Sequence, residues 1–110
     1  MTFLPVKPLD PQAPQRRIAY DPAKSLLRPF APHLPAFRSG ASSPRALLED
    51  CIATIARDEP AIAAFVVQDL DGARRAADAA TARWKAGSPL SPVDGMPIVV
   101  KDMIETADLP

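Results

Sequence analysis

A chain of 110 residues with 13 basic and 13 acidic side chains is at most one domain, able to bury roughly 65% of its unfolded surface. Balanced charge without a basic stripe argues against nucleic acid or an anionic membrane as a partner, and 5% aromatic residues leave no base-stacking platform. One cysteine, Cys51, excludes an internal disulfide framework and suits a reducing cytosol.

Residues 1–43 are expected to form a Pro-rich extended arm. Pro5, Pro8, Pro11, Pro14, Pro22, Pro29, Pro32 and Pro35 are too closely spaced for a helix of useful length, because proline removes an amide donor and biases its predecessor towards extended backbone. The prolines also interrupt the start of the chain before an apolar leader core can form. No uncharged apolar run approaches the ~20 residues that span a bilayer, so the expected location is cytoplasmic. Ile18, Tyr20, Leu26, Leu27, Phe30, Leu34 and Phe37 suggest an arm lying across a larger body, with one short helical turn over 20–27. A Pro-rich docking peptide is the functional alternative; surface strapping or plain disorder is the commoner use of such composition. His33 has no carboxylate or second histidine at ligand spacing and is given no role; no cofactor or metal is expected.

From residue 44 the chain reads as folded. Ser43 followed by Pro44 predicts a capped helix start, the serine accepting from a free first-turn amide and proline fitting the first helical position. The helix is predicted from Pro44 to Arg57 or Asp58, with Leu48, Cys51, Ile52 and Ile55 on one stripe, Arg45–Glu49 as a weak surface pair, and Pro60 as the stop. Cys51 reads as a small buried hydrophobe rather than a reactive thiol. Phe65-Val66-Val67 reads as a short strand. Asp71 is the expected N-cap of a second helix from Gly72 to about Ala86, with Ala73, Ala76, Ala77, Ala80 and Trp84 sharing a face that a neighbouring helix can approach closely. Arg74 and Asp78 read as a solvated outer pair, Trp84 as a core anchor, and Gly87 as the C-terminal stop.

The segment from Leu90 to Thr106 carries the strongest signal. Turn residues (Pro92, Asp94-Gly95, Pro97) lead into Ile98-Val99-Val100, a β-branched run that reads as a buried strand, and Lys101-Asp102 end it. A lysine there is either brought out to water or held inside for a chemical purpose. From charge and periodicity alone the first is the commoner outcome.

Gly95-Met-Pro-Ile-Val-Val-Lys-Asp102, with Ser91-Pro-Val-Asp94 before it and Ile104-Glu-Thr-Ala-Asp-Leu-Pro110 after it, resembles the lysine-bearing segment of the amidase-signature hydrolases. The Ile62–Val66 run and the alanine-rich helix after it are similar to the same family, so the resemblance covers about 43–110. Ala63 stands where asparagine is common and Asp108 where glycine is common. The resemblance implies an α/β mixed-sheet fold of which this chain is the N-terminal part: two helices, one or two strands and the Pro-rich arm, with 44–110 an incomplete portion of the domain. It implies cleavage of a carboxamide C–N bond by a Ser–cisSer–Lys mechanism on a small-molecule amide substrate, with Lys101 as the matching catalytic lysine and Asp102 in a structural hydrogen-bonding role. A lysine acting as base near neutral pH must be held uncharged, which takes dry, apolar surroundings that lower an amine by roughly 2–3 units from ~10.4. In the family the serine-bearing Gly/Ser-rich loop follows the lysine segment, so Ser39-Gly-Ala-Ser-Ser43 is not that loop and Ser43 is assigned to capping. The chain alone is expected to be inactive and to require a missing C-terminal portion or a complementary chain. The alternatives are a small non-catalytic helical interaction protein and one half of a split amidase.

Overall fold

Helix starts leave free amides, and the way this chain satisfies them builds its fold. The computed structural model describes Asp21, Ala23 and residues 28–110. A 3₁₀ turn at Ala31–His33 runs into α1 (Leu34–Ser39), followed by α2 (Pro44–Ile62) and α3 (Leu70–Lys85). At the start of α2, Ser43 Oγ accepts from the Ala46 amide at 3.1 Å and Pro44 occupies the first helical position. The amide between them, that of Arg45, donates to Thr81 Oγ1 of α3 at 3.1 Å. A side chain of one helix thus takes up a free donor of the other, while Thr81 Oγ1 donates to Ala77 O at 2.8 Å.

The two long helices run antiparallel and meet along the alanine face. Ala77, Ala80 and Trp84 from α3 are buried with Leu48 and Pro44 from α2. Small side chains on α3 let the helix axes approach closely, which accounts for a core with few large residues. Phe37 of α1, 2% exposed, closes the end of the pair. Its ring lies 5.7 Å from that of Trp84, 5.8 Å from that of Phe30 and 6.1 Å from that of His33. His33, with no predicted role, is therefore a packing residue.

Several expectations are corrected. Residues 31–39 are helical despite Pro32 and Pro35, because proline is tolerated in a first turn, where its missing amide is not needed. α2 does not stop at Pro60 but runs on to Ile62, ending where Ala63 adopts φ +51° and donates its amide to Glu59 O at 2.8 Å. So close to the helix end, proline forfeits little of the hydrogen-bond ladder. α3 begins two residues early: Asp69, not Asp71, is the cap, accepting from the Gly72 amide at 2.8 Å, and Asp71 sits in the first turn, where the helix dipole favours an acid. Gly87, at φ +72°, ends α3 as expected; its amide and that of Ser88 bond back to Trp84 O and Arg83 O, the paired pattern of a glycine-terminated helix.

The mixed sheet is not present among the described residues, which hold helices and no strand. Phe65–Val67 and Ile98–Val100 are irregular, with Val66 and Val99 each 74% exposed. A lone extended segment has no ladder partner, and local β-propensity does not supply one. Cys51, Ile52 and Ile55 are half-buried rather than core, since α3 covers only part of the predicted stripe. The helical turn predicted over 20–27 lies outside the described residues except at Asp21 and Ala23, where the Ala23 amide donates to Asp21 Oδ1 at 3.0 Å; Ile18, Tyr20, Leu26 and Leu27 also lie outside them. Where the arm is described, Arg28 Nη1 donates to Thr54 Oγ1 of α2 at 3.1 Å. No helix among the described residues is long and apolar enough to cross a membrane.

Candidate functional site

The loop from Leu90 to Met96 carries the chain from the helix pair to Lys101, and it is tied down by one side chain. Asp94 is buried, its side chain 5% exposed. Its carboxylate receives both arms of the Arg83 fork, Nε to Oδ2 at 2.8 Å and Nη2 to Oδ1 at 2.7 Å, and the Leu90 amide at 3.0 Å. Trp84 Nε1–H donates to the Asp94 carbonyl at 2.9 Å. Hydrogen bonds from Arg83 hold the Asp94 carboxyl below its ordinary range, against the opposing effect of burial, and the Leu90 amide adds to the lowering. The next residue, Gly95, has φ +87°, and a Cβ there would lie 2.6 Å from Pro44 Cβ and 3.1 Å from Ala80 Cβ. The turn predicted at Asp94-Gly95 is thus pressed onto the seam between α2 and α3, where only glycine fits.

Beyond Met96 the polar ties cease. Among the described residues, no hydrogen bond or ion pair joins 97–110 to the helices; the bonds in this stretch are local, from the Ile104 amide to Lys101 O at 2.9 Å and the Leu109 amide to Thr106 Oγ1 at 3.2 Å. Met96, Pro97 and Ile98 border a shallow apolar groove with Leu48, Ala73 and Ala76. Ile98 is 72% exposed and Met103 76%. Lys101 and Asp102 are exposed, and the structure gives neither side chain a hydrogen-bond or ion-pair partner among the described residues. The dry setting in which a lysine can serve as base is not formed by the described residues.

A second polar cluster joins the outer sides of α2 and α3. Arg45 reaches Glu49 (Nε–Oε1, 2.9 Å) and Asp78 (Nη1–Oδ2, 2.6 Å), and Arg74 grips Glu49 (2.8 and 3.2 Å). The Arg74–Asp78 pair expected on a solvated face is not made; each member instead pairs across the helix boundary. Glu49 is pulled down to about 2, chiefly by Arg74, with Arg45 adding and burial opposing. These side chains sit on rigid helices with their charges mutually satisfied, the arrangement of a brace rather than of a reactive centre. Ser43, assigned to capping, caps. Among the described residues no group of histidine, cysteine, aspartate or glutamate could hold a metal ion.

Sequence reasoning missed the Arg83–Asp94 fork. Asp-Gly signalled a turn, and nothing in an eleven-residue separation across a helix end signalled that the aspartate would be buried against an arginine.

Residues 46–110 match the sequence model of the Amidase family. The chain is 45% identical over 64 residues to a glutamyl-tRNA(Gln) amidotransferase subunit of Chloroflexus aurantiacus, covering 58% of this chain and 13% of that protein. It is 39% identical over 66 residues to the corresponding mitochondrial glutamyl-tRNA(Gln) amidotransferase subunit of Ixodes scapularis, 60% of this chain and 13% of that one. Against the glutamyl-tRNA(Gln) amidotransferase subunit of Rhodopirellula baltica it is 36% identical over 64 residues, again 58% and 13%. The chain thus spans about an eighth of the length of these relatives, and no solved structure matches it. With more than half of its residues matched, including α2 from its third residue onward, Asp94 and Lys101, the chain belongs to the amidase family.

Proposed function

We propose that this chain is the lysine-bearing portion of an amidase that hydrolyses a carboxamide C–N bond on a small-molecule substrate, with Lys101 as the general base of a Ser–cisSer–Lys relay. One serine hydroxyl attacks the carbonyl while the second relays its proton to the Lys101 amine. The C–N bond breaks as that proton is delivered to the leaving nitrogen, and water deprotonated through the same relay then cleaves the acyl-serine ester to release the acid and restore the serine. One observation carries the reading: Lys101 follows a β-branched run whose side chains stand open, Ile98 and Val99 by 72% and 74%, in the part of the chain that matches the family. A continuous exposed apolar stretch is a surface awaiting cover. Cover on both faces of Ile98–Val100 would make the dry setting an uncharged amine requires.

Further polypeptide, continuous with this chain or separate from it, supplies that cover and the two serines. Relatives that are named as subunits of an amidotransferase favour a partner chain as well. The test is to express the full reading frame around this segment and assay release of ammonia from simple carboxamides. Lys101→Ala is expected to lower turnover by several orders of magnitude with substrate binding largely kept, and the 110-residue chain by itself is expected to show none. Full turnover in Lys101→Ala would refute the assignment.

A further inference from the structure

We propose that Arg83 and Asp94 are positioning residues for Lys101: the fork that joins them, together with the Trp84 indole on the Asp94 carbonyl, is the last polar tie between the helix pair and the lysine segment, and it sets where that segment starts and in which direction it leaves. The inference rests on the reading of Lys101 as the base and goes beyond it by naming what places the lysine.

Three features converge on this loop. The Asp94 side chain is 5% exposed and takes both arms of Arg83 together with the Leu90 amide, so its two oxygens are held in direction as well as distance. The backbone is gripped separately, by the Trp84 indole on the Asp94 carbonyl and by the fit of Gly95 against Pro44 and Ala80. After Met96, no described residue up to Pro110 makes a hydrogen bond or ion pair back to α1, α2 or α3. From Gly95 to Lys101 is six residues, roughly 20 Å of extended chain. Over such a span a small rotation at the root displaces the amine by ångströms, and a misplacement of about 1 Å can cost a reaction about a hundredfold. Arg83 holds the carboxylate from α3, the helix whose alanine face is packed into the core, so the tie is anchored on a rigid element. The Arg45–Glu49–Arg74–Asp78 cluster joins the same two helices but makes no hydrogen bond or ion pair to 90–101 among the described residues, which makes it the internal control.

The experiment uses the full-length amidase that contains this segment. Asp94→Asn keeps the size of the side chain and removes its charge; Arg83→Gln removes the charge from the other side and shortens the side chain, so that the fork is lost. Each is expected to lower kcat roughly 10–100-fold with KM within about twofold, and to shift the acid limb of the kcat–pH profile, because a displaced lysine sits in different surroundings. The double variant is expected to be no worse than either single one. Glu49→Gln, which loosens the helix pair elsewhere, is expected to leave kcat and its pH profile in place. Should Asp94→Asn fail to fold, Arg83→Lys retains the charge while losing the fork, and an intermediate loss of kcat with the same shifted limb supports the proposal. Wild-type kcat and an unmoved profile in Asp94→Asn or Arg83→Lys, with Lys101→Ala inactive, would overturn the positioning role alone. An active Lys101→Ala would overturn it together with the reading on which it rests.

Discussion

Asp94 shows how much of a structure one side chain can gather. A turn aspartate is ordinarily a solvated residue, but here its carboxylate is spent on a guanidinium and an amide while its carbonyl receives an indole. Replacing Trp84 with phenylalanine keeps most of the ring packing against Phe37 and leaves the Asp94 carbonyl without its donor. A loss of about 1–3 kcal/mol is expected, read from the urea midpoint; an unchanged midpoint would mean that the indole hydrogen bond contributes nothing net. Gly95→Ala combines a left-handed backbone with a Cβ 2.6 Å from Pro44, and its expected cost is also about 1–3 kcal/mol. A stability equal to wild type would show that the loop lifts off the helix seam without penalty.

At the scale of elements, the molecule is a helix pair whose joint is polar at its start and rim and alanine-lined at its centre. Ser43→Ala removes the cap of α2 while Thr81 still serves the Arg45 amide, so a loss of about 1 kcal/mol is expected, seen as a lower thermal midpoint. The rim has a definite pH signature. Glu49 is held at about 2, below its ordinary 4.5, so the folded state binds the proton more weakly than the unfolded one. Its stabilisation is complete above about 4.5, declines as pH falls and is gone below about 2. Glu49→Gln is therefore expected to flatten that part of the stability–pH curve, and a curve parallel to wild type between those limits would disprove the linkage. The side chain is 41% exposed, so added salt is expected to shrink the effect.

At the scale of the whole molecule, a small core is set beside a long apolar margin. Among the described residues the buried apolar set is Phe37, Pro44, Leu48, Ala77, Ala80 and Trp84, whereas Leu90, Ile98, Val99, Met103 and Ile104 are each more than half exposed. Such a margin is expected to bind a hydrophobic dye and to make the 110-residue chain associate as its concentration rises. Val99→Lys is expected to reduce both, with helix content by circular dichroism retained. Dye binding and elution volume that do not respond to this substitution would place the sticky surface elsewhere.

Local chemistry in the sequence was enough to determine the two long helices, the Ser43 cap, the glycine stop after α3, the close alanine face, the anchoring of Trp84 and the family, because each depends on neighbours within a few residues or on a short contiguous motif. It misread Asp71, where two candidate caps stand two residues apart, and Pro60, which α2 passes to end at Ile62. Only the tertiary structure decided that Asp94 is buried on Arg83, that Arg74 and Asp78 bond across helices rather than to each other, and that Ile98–Val100 lie open. Each of those outcomes depends on which surface arrives opposite a residue, and a strand in particular exists only when another backbone comes to pair with it.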